Sequence, residues 1–365
     1  MTVKFLDLAA SYRVLKPEID AAIARSLASG WYIGGPEVEA FETSFANYCG
    51  ARHCIGVGNG LDALHLALRA MDVGPGDEVI VSSNTYIATW LAVTMVGAKP
   101  VPVEPDPTTH NLDPRRIEAS ITNRTRVILP THLYGQSAEL DPLLGLCRLH
   151  GLKLLEDAAQ AHGASYKNRR IGSHGSAVAW SFYPGKNLGA FGDGGAVTTN
   201  DPELAHRVRM LGNYGSSVKY VNEARGVNSR LDPLQAAVLG VKLNRLDAWN
   251  ARRKEIAARY EAGLSGLNID LPSVPDWADP AWHLFVIRTP ARNALVGKLT
   301  AAGVQTLIHY PIPPHLQAAY SDMRMVEGSL PVAELLANEV VSLPIGPHMS
   351  DAEVETVIAA VRAAV

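Results

Sequence analysis

Lys186 and Asp157 stand 29 residues apart, in settings that suit covalent and proton chemistry. Lys186 lies in Ser181-Phe182-Tyr183-Pro184-Gly185-Lys186-Asn187-Leu188-Gly189, a segment broken by glycine and proline between two apolar runs. A lysine on such a loop can be aimed into a cleft. Partial desolvation favours its neutral amine, which can condense with a carbonyl to form a Schiff base. The ordinary alternative is a solvated loop lysine. Asp157 follows the apolar run 152–155 and opens Asp157-Ala158-Ala159-Gln160-Ala161-His162-Gly163. A carboxylate there can cap the next turn. It can also hold the protonated nitrogen of a pyridine ring, so that the ring draws in electrons as pyridoxal phosphate (PLP) does.

Two further segments follow strand-like runs. Gly58-Asn59-Gly60-Leu61-Asp62 leads from 53–57 into a helical pattern. Backbone N–H groups reached through glycines at a helix start bind anions. The glycines do not make a dinucleotide fingerprint, because a G-x-G-x-x-G begun at Gly56 fails at Leu61. No G-x-x-x-x-G-K-[ST] loop occurs, which removes the common nucleotide-triphosphatase reading. Ser83-Asn84-Thr85-Tyr86 offers an aromatic plane at Tyr86, although a tyrosine in that place also serves as plain core.

The elements that must hold these groups show as alternating patterns. Opening helices are predicted at 17–27 and 37–48. Strands follow at 53–57, 78–81, 99–103, 126–130 and 152–155, and helices at 61–71, 85–96, 114–120 and 141–150. Such strand–helix units imply a mostly parallel sheet covered on both faces. Ligands of such sheets gather at the carboxyl ends of the strands. Segments 177–182 and 196–199 are predicted as antiparallel additions, then helices at 202–211 and 233–262. Beyond the proline-rich stretch 272–280 come a strand at 283–288 and helices at 293–302 and 351–364. The expected fold is α/β, with a mostly parallel central sheet in residues 1–245 and a smaller α+β domain in 246–365.

Composition narrows the class. The chain has 365 residues, enough for two domains at roughly 150 residues each. Hydrophobic residues make up 47% and charged residues 19%, ordinary values for a globular protein with a large core. A net charge of -3 argues against a broad nucleic-acid surface, yet leaves room for a small anion pocket. Cys49, Cys54 and Cys147 cannot all pair and form no C-x-x-C, so neither a disulfide framework nor a structural zinc site is expected. The start carries no signal-peptide pattern, and no apolar run reaches the roughly 18 residues that span a bilayer. A cytoplasmic location is expected.

In chain order stand an anion loop, an aromatic plane, a strand-end aspartate and a loop lysine. With Phe5-Leu6-Asp7-Leu8 near the start and Ser342-Leu343-Pro344-Ile345-Gly346 near the end, the chain resembles the DegT/DnrJ/StrS sugar-nucleotide aminotransferases almost end to end. These are PLP enzymes of fold type I. The resemblance implies that Lys186 is the Schiff-base lysine, Asp157 the partner of the ring nitrogen and Gln160 the partner of the ring hydroxyl. Tyr86 stacks on the ring, and Asn59, Gly60, Leu61 and Ser181 hold the phosphate. Gly226-Val227-Asn228-Ser229-Arg230-Leu231-Asp232 is similar to the family's G-x-N-x-R segment. There Asn228 reaches the phosphate bound by the partner subunit, which implies an obligate homodimer with shared sites.

The resemblance also implies the reaction: an amino group moves from L-glutamate to a keto sugar carried on a nucleoside diphosphate. Family members acting on carbon 4 commonly have a threonine-rich stretch after the lysine. Here Asn187-Leu188-Gly189-Ala190-Phe191 follows, similar to the branch that acts on dTDP-linked 3-keto-6-deoxyhexoses and yields dTDP-3-amino-3,6-dideoxyhexoses. In that branch Tyr183, Lys219, His309 and Tyr310 lie near the substrate. His309-Tyr310-Pro311 is a polar pair before a rigid turn, which suits a cleft-facing loop, with a structural histidine as the alternative. His162 could also face the sugar. Arg230 is a candidate for the glutamate carboxylates, with a surface ion pair as its alternative. The rival readings are a 4-aminotransferase and a PLP-fold regulatory or binding protein without turnover. A third rival, the family's dehydratases, carries histidine where this chain has Lys186.

Overall fold

The computed structural model describes residues 2–365. In chain order its strands are β1 (His53–Val57), β2 (Glu78–Ser82), β3 (Lys99–Val103), β4 (Thr125–Leu129), β5 (Lys153–Asp157), β6 (Ser165–Tyr166) and β7 (Arg169–Arg170). They continue as β8 (Ala177–Ser181), β9 (Gly195–Thr199), β10 (Ala278–Asp279), β11 (Phe285–Arg288) and β12 (Val340–Leu343). Seven of them form the central sheet, in the order β1-β9-β8-β5-β4-β2-β3. Strands β3, β2, β4, β5 and β8 run parallel, while β9 is antiparallel to both of its neighbours.

The sequence of the central strands explains their place. They are short runs rich in Val, Ile, Leu and Ala, which suit a pleated surface buried on both faces. Successive side chains point to opposite faces. Ile80, Ile128, Leu154 and Val178 thus join one core with Phe41 and Phe45. Val79, Val127, Leu155 and Ala179 join the other with Leu64, Leu68 and Trp90. The helices supplying those residues are α2 (Pro36–Cys49) on the first face, with α3 (Gly60–Ala70) and α4 (Ile87–Met95) on the second. A third core gathers Tyr260, Phe285, Leu299, Leu343 and Val357, and also takes in Val3 from the start of the chain.

Several expectations are corrected. The strand at 177–182 is not an antiparallel addition: β8 pairs parallel with β5, and only β9 reverses. The helix expected at 233–262 is two, α7 (Pro233–Leu243) and α8 (Leu246–Leu264). They part at Asn244-Arg245, where no glycine or proline marks the turn. The opening helix α1 (Leu8–Ser29) begins well before Pro17, because the Asp7 side chain accepts from the Ala9 N–H and caps it. Pro17 lies inside α1 behind a distorted Leu15 (φ -108, ψ 18). The segment at 114–120 is two 3-10 turns, Pro114–Arg116 and Glu118–Ser120. Strand β12 and the helix before it, α10 (Pro331–Glu339), carried no signal that the sequence patterns picked out.

One carboxylate ties α10 to the central sheet. Glu104, just past β3, accepts from the Val332 N–H (2.7 Å), the Ala333 N–H (3.0 Å) and the Ser83 hydroxyl (3.0 Å). It satisfies the first free donors of α10 and sits at the positive end of that helix. Pro331 at the first helical position has no N–H to satisfy. Replacing Glu104 with alanine leaves these buried donors unmatched. The expected loss is about 2 kcal/mol of folding stability, read as a lower urea midpoint with an unchanged slope.

Candidate active site

Asp157 is the last residue of β5, and Lys186 lies on the loop between β8 and β9. Parallel pairing of β5 with β8 brings both to the carboxyl edge of the sheet. Each lies in the electric field of the other: the lysine lowers the Asp157 pKa and the aspartate raises that of Lys186. For both groups burial is the larger effect and opposes this. Desolvation pulls the Lys186 ammonium down to about 8, and burial pushes the Asp157 carboxyl up. Among the described residues, nothing accepts a hydrogen bond from the Lys186 amine.

The Lys186 loop is fixed by its neighbours. The Lys186 N–H closes a turn on the Tyr183 carbonyl at 2.8 Å. Gly189 packs so close to Pro184 that a Cβ would stand 2.4 Å from its carbonyl oxygen. The Gly189 carbonyl accepts from the buried Lys242 amine at 2.6 Å, which also lies 4.2 Å from the Phe191 ring centre. Asn187 donates to Ala281 (2.7 Å) and Asn250 (2.9 Å), and its oxygen meets the His283 Nδ1 at 3.2 Å. Burial, joined by the Lys186 charge, pushes the His283 imidazole well below its usual range.

The Asp157 carboxylate is also fixed at both oxygens. Thr89 of α4 donates to Oδ2 at 2.8 Å and the Ala159 N–H donates to Oδ1 at 3.1 Å. Three residues on, the buried Gln160 accepts from the Tyr134 N–H (2.6 Å) and donates to the Tyr310 hydroxyl (2.9 Å). The Tyr310 ring centre is 5.2 Å from that of Tyr86, whose ring is 55% exposed at the site's mouth. His309 bonds the Ser342 hydroxyl through Nδ1 at 2.8 Å. Burial and the Lys186 charge push its imidazole down to about 4, so it is neutral near pH 7.

The anion loop lies beside this cluster. The Asn59 side chain turns inward and caps α3 by accepting from the Asp62 N–H at 2.8 Å. Among the described residues the Gly60 and Leu61 N–H groups find no acceptor, as expected at a helix start. Gly60 presses on Ser181: a Cβ on residue 60 would stand 2.6 Å from that of Ser181. The donors of both therefore converge. Gly195 is as tightly placed, since its Cβ would meet the Asn59 carbonyl oxygen at 2.4 Å. These residues fit PLP. Unmatched N–H groups at the positive end of a helix suit its phosphate, a buried carboxylate suits its ring nitrogen, and an amine of lowered pKa suits its aldehyde.

Other expected residues lie farther out. Tyr183 is 58% exposed on the rim. Lys219 is exposed and lies over the Tyr220 ring. Asn228 is exposed and forms a backbone bridge with Asn213, while Arg230 donates to the Asn213 oxygen at 3.1 Å. None of these last three hydrogen-bonds or stacks on the Lys186 cluster within the described chain. His162 does not face the site. It is wholly buried among Phe45, Trp180 and Phe182, and burial takes its imidazole to about 3. The sequence reading missed Thr89, Asn187, Lys242 and His283. Thr89, three residues after Tyr86, could have been found by helical spacing. The other three meet their partners only through the tertiary fold.

Comparison with known proteins agrees with this geometry. The profile described as the DegT/DnrJ/EryC1/StrS aminotransferase family matches residues 14–362. The erythromycin biosynthesis sensory transduction protein EryC1 of Saccharopolyspora erythraea is 58% identical over 364 residues, covering 100% of both chains. The dTDP-3-amino-3,4,6-trideoxy-alpha-D-glucose transaminase of Streptomyces venezuelae is 58% identical over 361 residues, covering 99% of this chain and 95% of that one. The dTDP-3-amino-3,6-dideoxy-alpha-D-galactopyranose transaminase of Aneurinibacillus thermoaerophilus is 55% identical, covering 99% of each. The crystal structure of S. venezuelae DesV superposes with a TM-score of 0.98 at 57% identity, covering 99% of this chain and 98% of that one. NtdA of Bacillus subtilis, solved with bound PMP, gives 0.92 at 31% identity, covering 100% of this chain and 85% of that one. The chain belongs to the DegT/DnrJ/EryC1/StrS aminotransferase family.

Proposed function

We propose that this aminotransferase uses PLP to move an amino group from L-glutamate to the 3-keto carbon of a dTDP-linked 6-deoxyhexose, giving a dTDP-3-amino-3,6-dideoxyhexose. The observation that carries the reading is the meeting of Lys186 and Asp157 at one sheet edge, beside the unmatched donors of Gly60 and Leu61. The carbon-3 assignment is supported by relatives named for dTDP-3-amino sugars, at 55% and 58% identity.

Bound there, PLP supplies a carbonyl carbon and an electron-accepting ring. The rest falls to the chain. Asp157 keeps the ring nitrogen cationic. The Lys186 amine, free once the donor has bound, takes the proton from the glutamate α-carbon and later returns one to the sugar carbon. The donors of Gly60, Leu61 and Ser181 anchor the phosphate, and the Asn59 side chain holds the loop that presents them. Gln160 orients the ring hydroxyl, and Tyr86 covers a ring face. Tyr183, His309 and Tyr310 line the sugar's approach. For the carboxylates of glutamate Arg230 is a candidate cation only, since it bonds Asn213 and makes no bond to the Lys186 cluster among the described residues.

We further propose a homodimer in which Lys219 and Asn228 serve the partner's site, with a fold divided at residues 245/246. Their exposure, and the lack of any hydrogen bond or stacking to the Lys186 cluster among the described residues, support sharing. The third core, separate from those on the sheet, supports the division. A cytoplasmic location fits three free, buried cysteines. No described helix is long and apolar enough to cross a membrane. The description of EryC1 as a sensory transduction protein supports a regulatory reading as the alternative, and incubation with glutamate separates the two. A catalyst loses the colour of the lysine-bound cofactor, whereas a binding protein keeps it.

Four outcomes are expected. Borohydride treatment of the holoenzyme should fix the cofactor on the peptide containing Lys186, and Lys186→Ala should lower turnover by at least about 10³-fold. With the Lys186 group at about 8, the uncharged fraction rises roughly tenfold between pH 7 and pH 9. The rate of PLP uptake by the apoprotein should rise with it and level off, where an exposed lysine would still be climbing. Finally, amine-loaded enzyme screened against 3-keto and 4-keto nucleotide sugars should regain its colour with the 3-keto acceptors. A 4-keto preference would reassign the branch and leave the chemistry of Lys186 intact.

A further inference from the structure

A line of three buried threonines leads to Asp157. Thr131 Oγ1 is 2.9 Å from Thr85 Oγ1, Thr85 Oγ1 is 2.9 Å from Thr89 Oγ1, and Thr89 Oγ1 is 2.8 Å from Asp157 Oδ2. All three threonines are essentially without solvent contact. They come from three neighbouring places on the sheet edge: Thr85 after β2, Thr131 after β4 and Thr89 on α4. Thr131 also bridges to the Asp157 backbone. The line therefore crosses the carboxyl ends of β2, β4 and β5, which are adjacent in the sheet.

Each hydroxyl has one proton, and an ionised carboxylate has none. Thr89 must therefore donate to Asp157. Its oxygen is then filled by the proton of Thr85, and that of Thr85 by the proton of Thr131. None of these side chains has another partner among the described hydrogen bonds, so the direction is fixed. A proton on Oδ2 would reverse all three hydroxyls and leave the Thr131 proton with no acceptor. A proton on Oδ1 would find no acceptor among the described groups, since the only partner of that oxygen is the Ala159 N–H, itself a donor. Hydrogen bonds in such a chain polarise one another.

We propose that Thr131, Thr85 and Thr89 act as a one-way hydroxyl relay that holds Asp157 as a pure acceptor, keeping its charge available to the cationic ring of PLP. This rests on the PLP reading above. The threonines are positioning residues acting through Asp157. Burial pushes the Asp157 carboxyl toward its neutral form, and the Thr89 bond acts against that. The other titratable groups facing Asp157 are Lys186, His132 and Tyr310.

The test is PLP affinity of the full-length apoprotein, titrated across pH, for valine and serine replacements at Thr89 and Thr131. Valine keeps the volume and loses the hydroxyl, while serine keeps the hydroxyl. Thr89→Val should weaken PLP about tenfold and Thr131→Val, two hydroxyls away, about threefold. In both, affinity should begin to fall at a higher pH than in the wild type, because a carboxyl robbed of its donor protonates sooner. Both serine variants should match the wild type. A purely structural role would lower the melting temperature without moving the pH at which affinity falls. The relay is overturned if Thr131→Val binds PLP as the wild type does at every pH, or if serine loses as much as valine. Wild-type protein that takes up no PLP, or takes it up without engaging Lys186, would sink the PLP reading and the relay together.

Discussion

An amine and a carboxylate share a place too dry to favour either charge alone, and each steadies the ionised form of the other. That tension between Lys186 and Asp157 governs the site. Strong burial alone would neutralise both groups, and full solvation would leave an ordinary lysine that is a poor nucleophile near pH 7. The fold holds the pair between these limits. The amine remains able to condense with a carbonyl, and the carboxylate remains able to hold a positive ring.

Sheet geometry makes the arrangement rigid. Because side chains alternate along β5, Asp157 and Glu156 face opposite ways. Asp157 turns toward α4 and its Thr89. Glu156 turns into the other core and meets His132 Nε2 at 2.9 Å, while its second oxygen accepts from the Gly175 N–H at 2.6 Å. The His132 Nδ1 accepts from the Ala138 N–H at 3.0 Å, so Nε2 carries the ring proton and donates it to Glu156. A wholly buried and fully bonded pair thus locks the strand end one residue before the functional aspartate. Glycines make the second rigid contact. Gly60 and Gly195 let α3, β8 and β9 approach more closely than any side chain would permit.

The periphery is built differently. Tyr86 and Tyr183 present large exposed rings, and Lys219 and Asn228 are exposed as well. A rigid floor with an open, aromatic rim is suited to a bulky substrate whose reacting carbon must be placed accurately while its remainder is held loosely.

The strands and most helices could be read from the sequence because they depend on local patterns: apolar runs of strand length, helical spacing, and glycine or proline at the turns. For Lys186, Asp157 and the anion loop, residue types and settings allowed the chemistry but also an ordinary loop lysine and a turn cap. It was their order along the chain, through the family resemblance, that assigned the roles. The break between α7 and α8 could not be read, since Asn244-Arg245 carries no breaker and the turn serves packing that is distant in sequence. Nor could the parallel sense of β8, which its pairing with β5 decides. The burial of His162 has the same origin: three aromatic side chains from other elements, invisible to local spacing, enclose it. The sequence by itself determined which groups could react and in what order they come along the chain. Only the tertiary structure decided their protonation, their partners and their common location, because desolvation and Coulomb fields arise from neighbours that the fold, and not the sequence order, brings together.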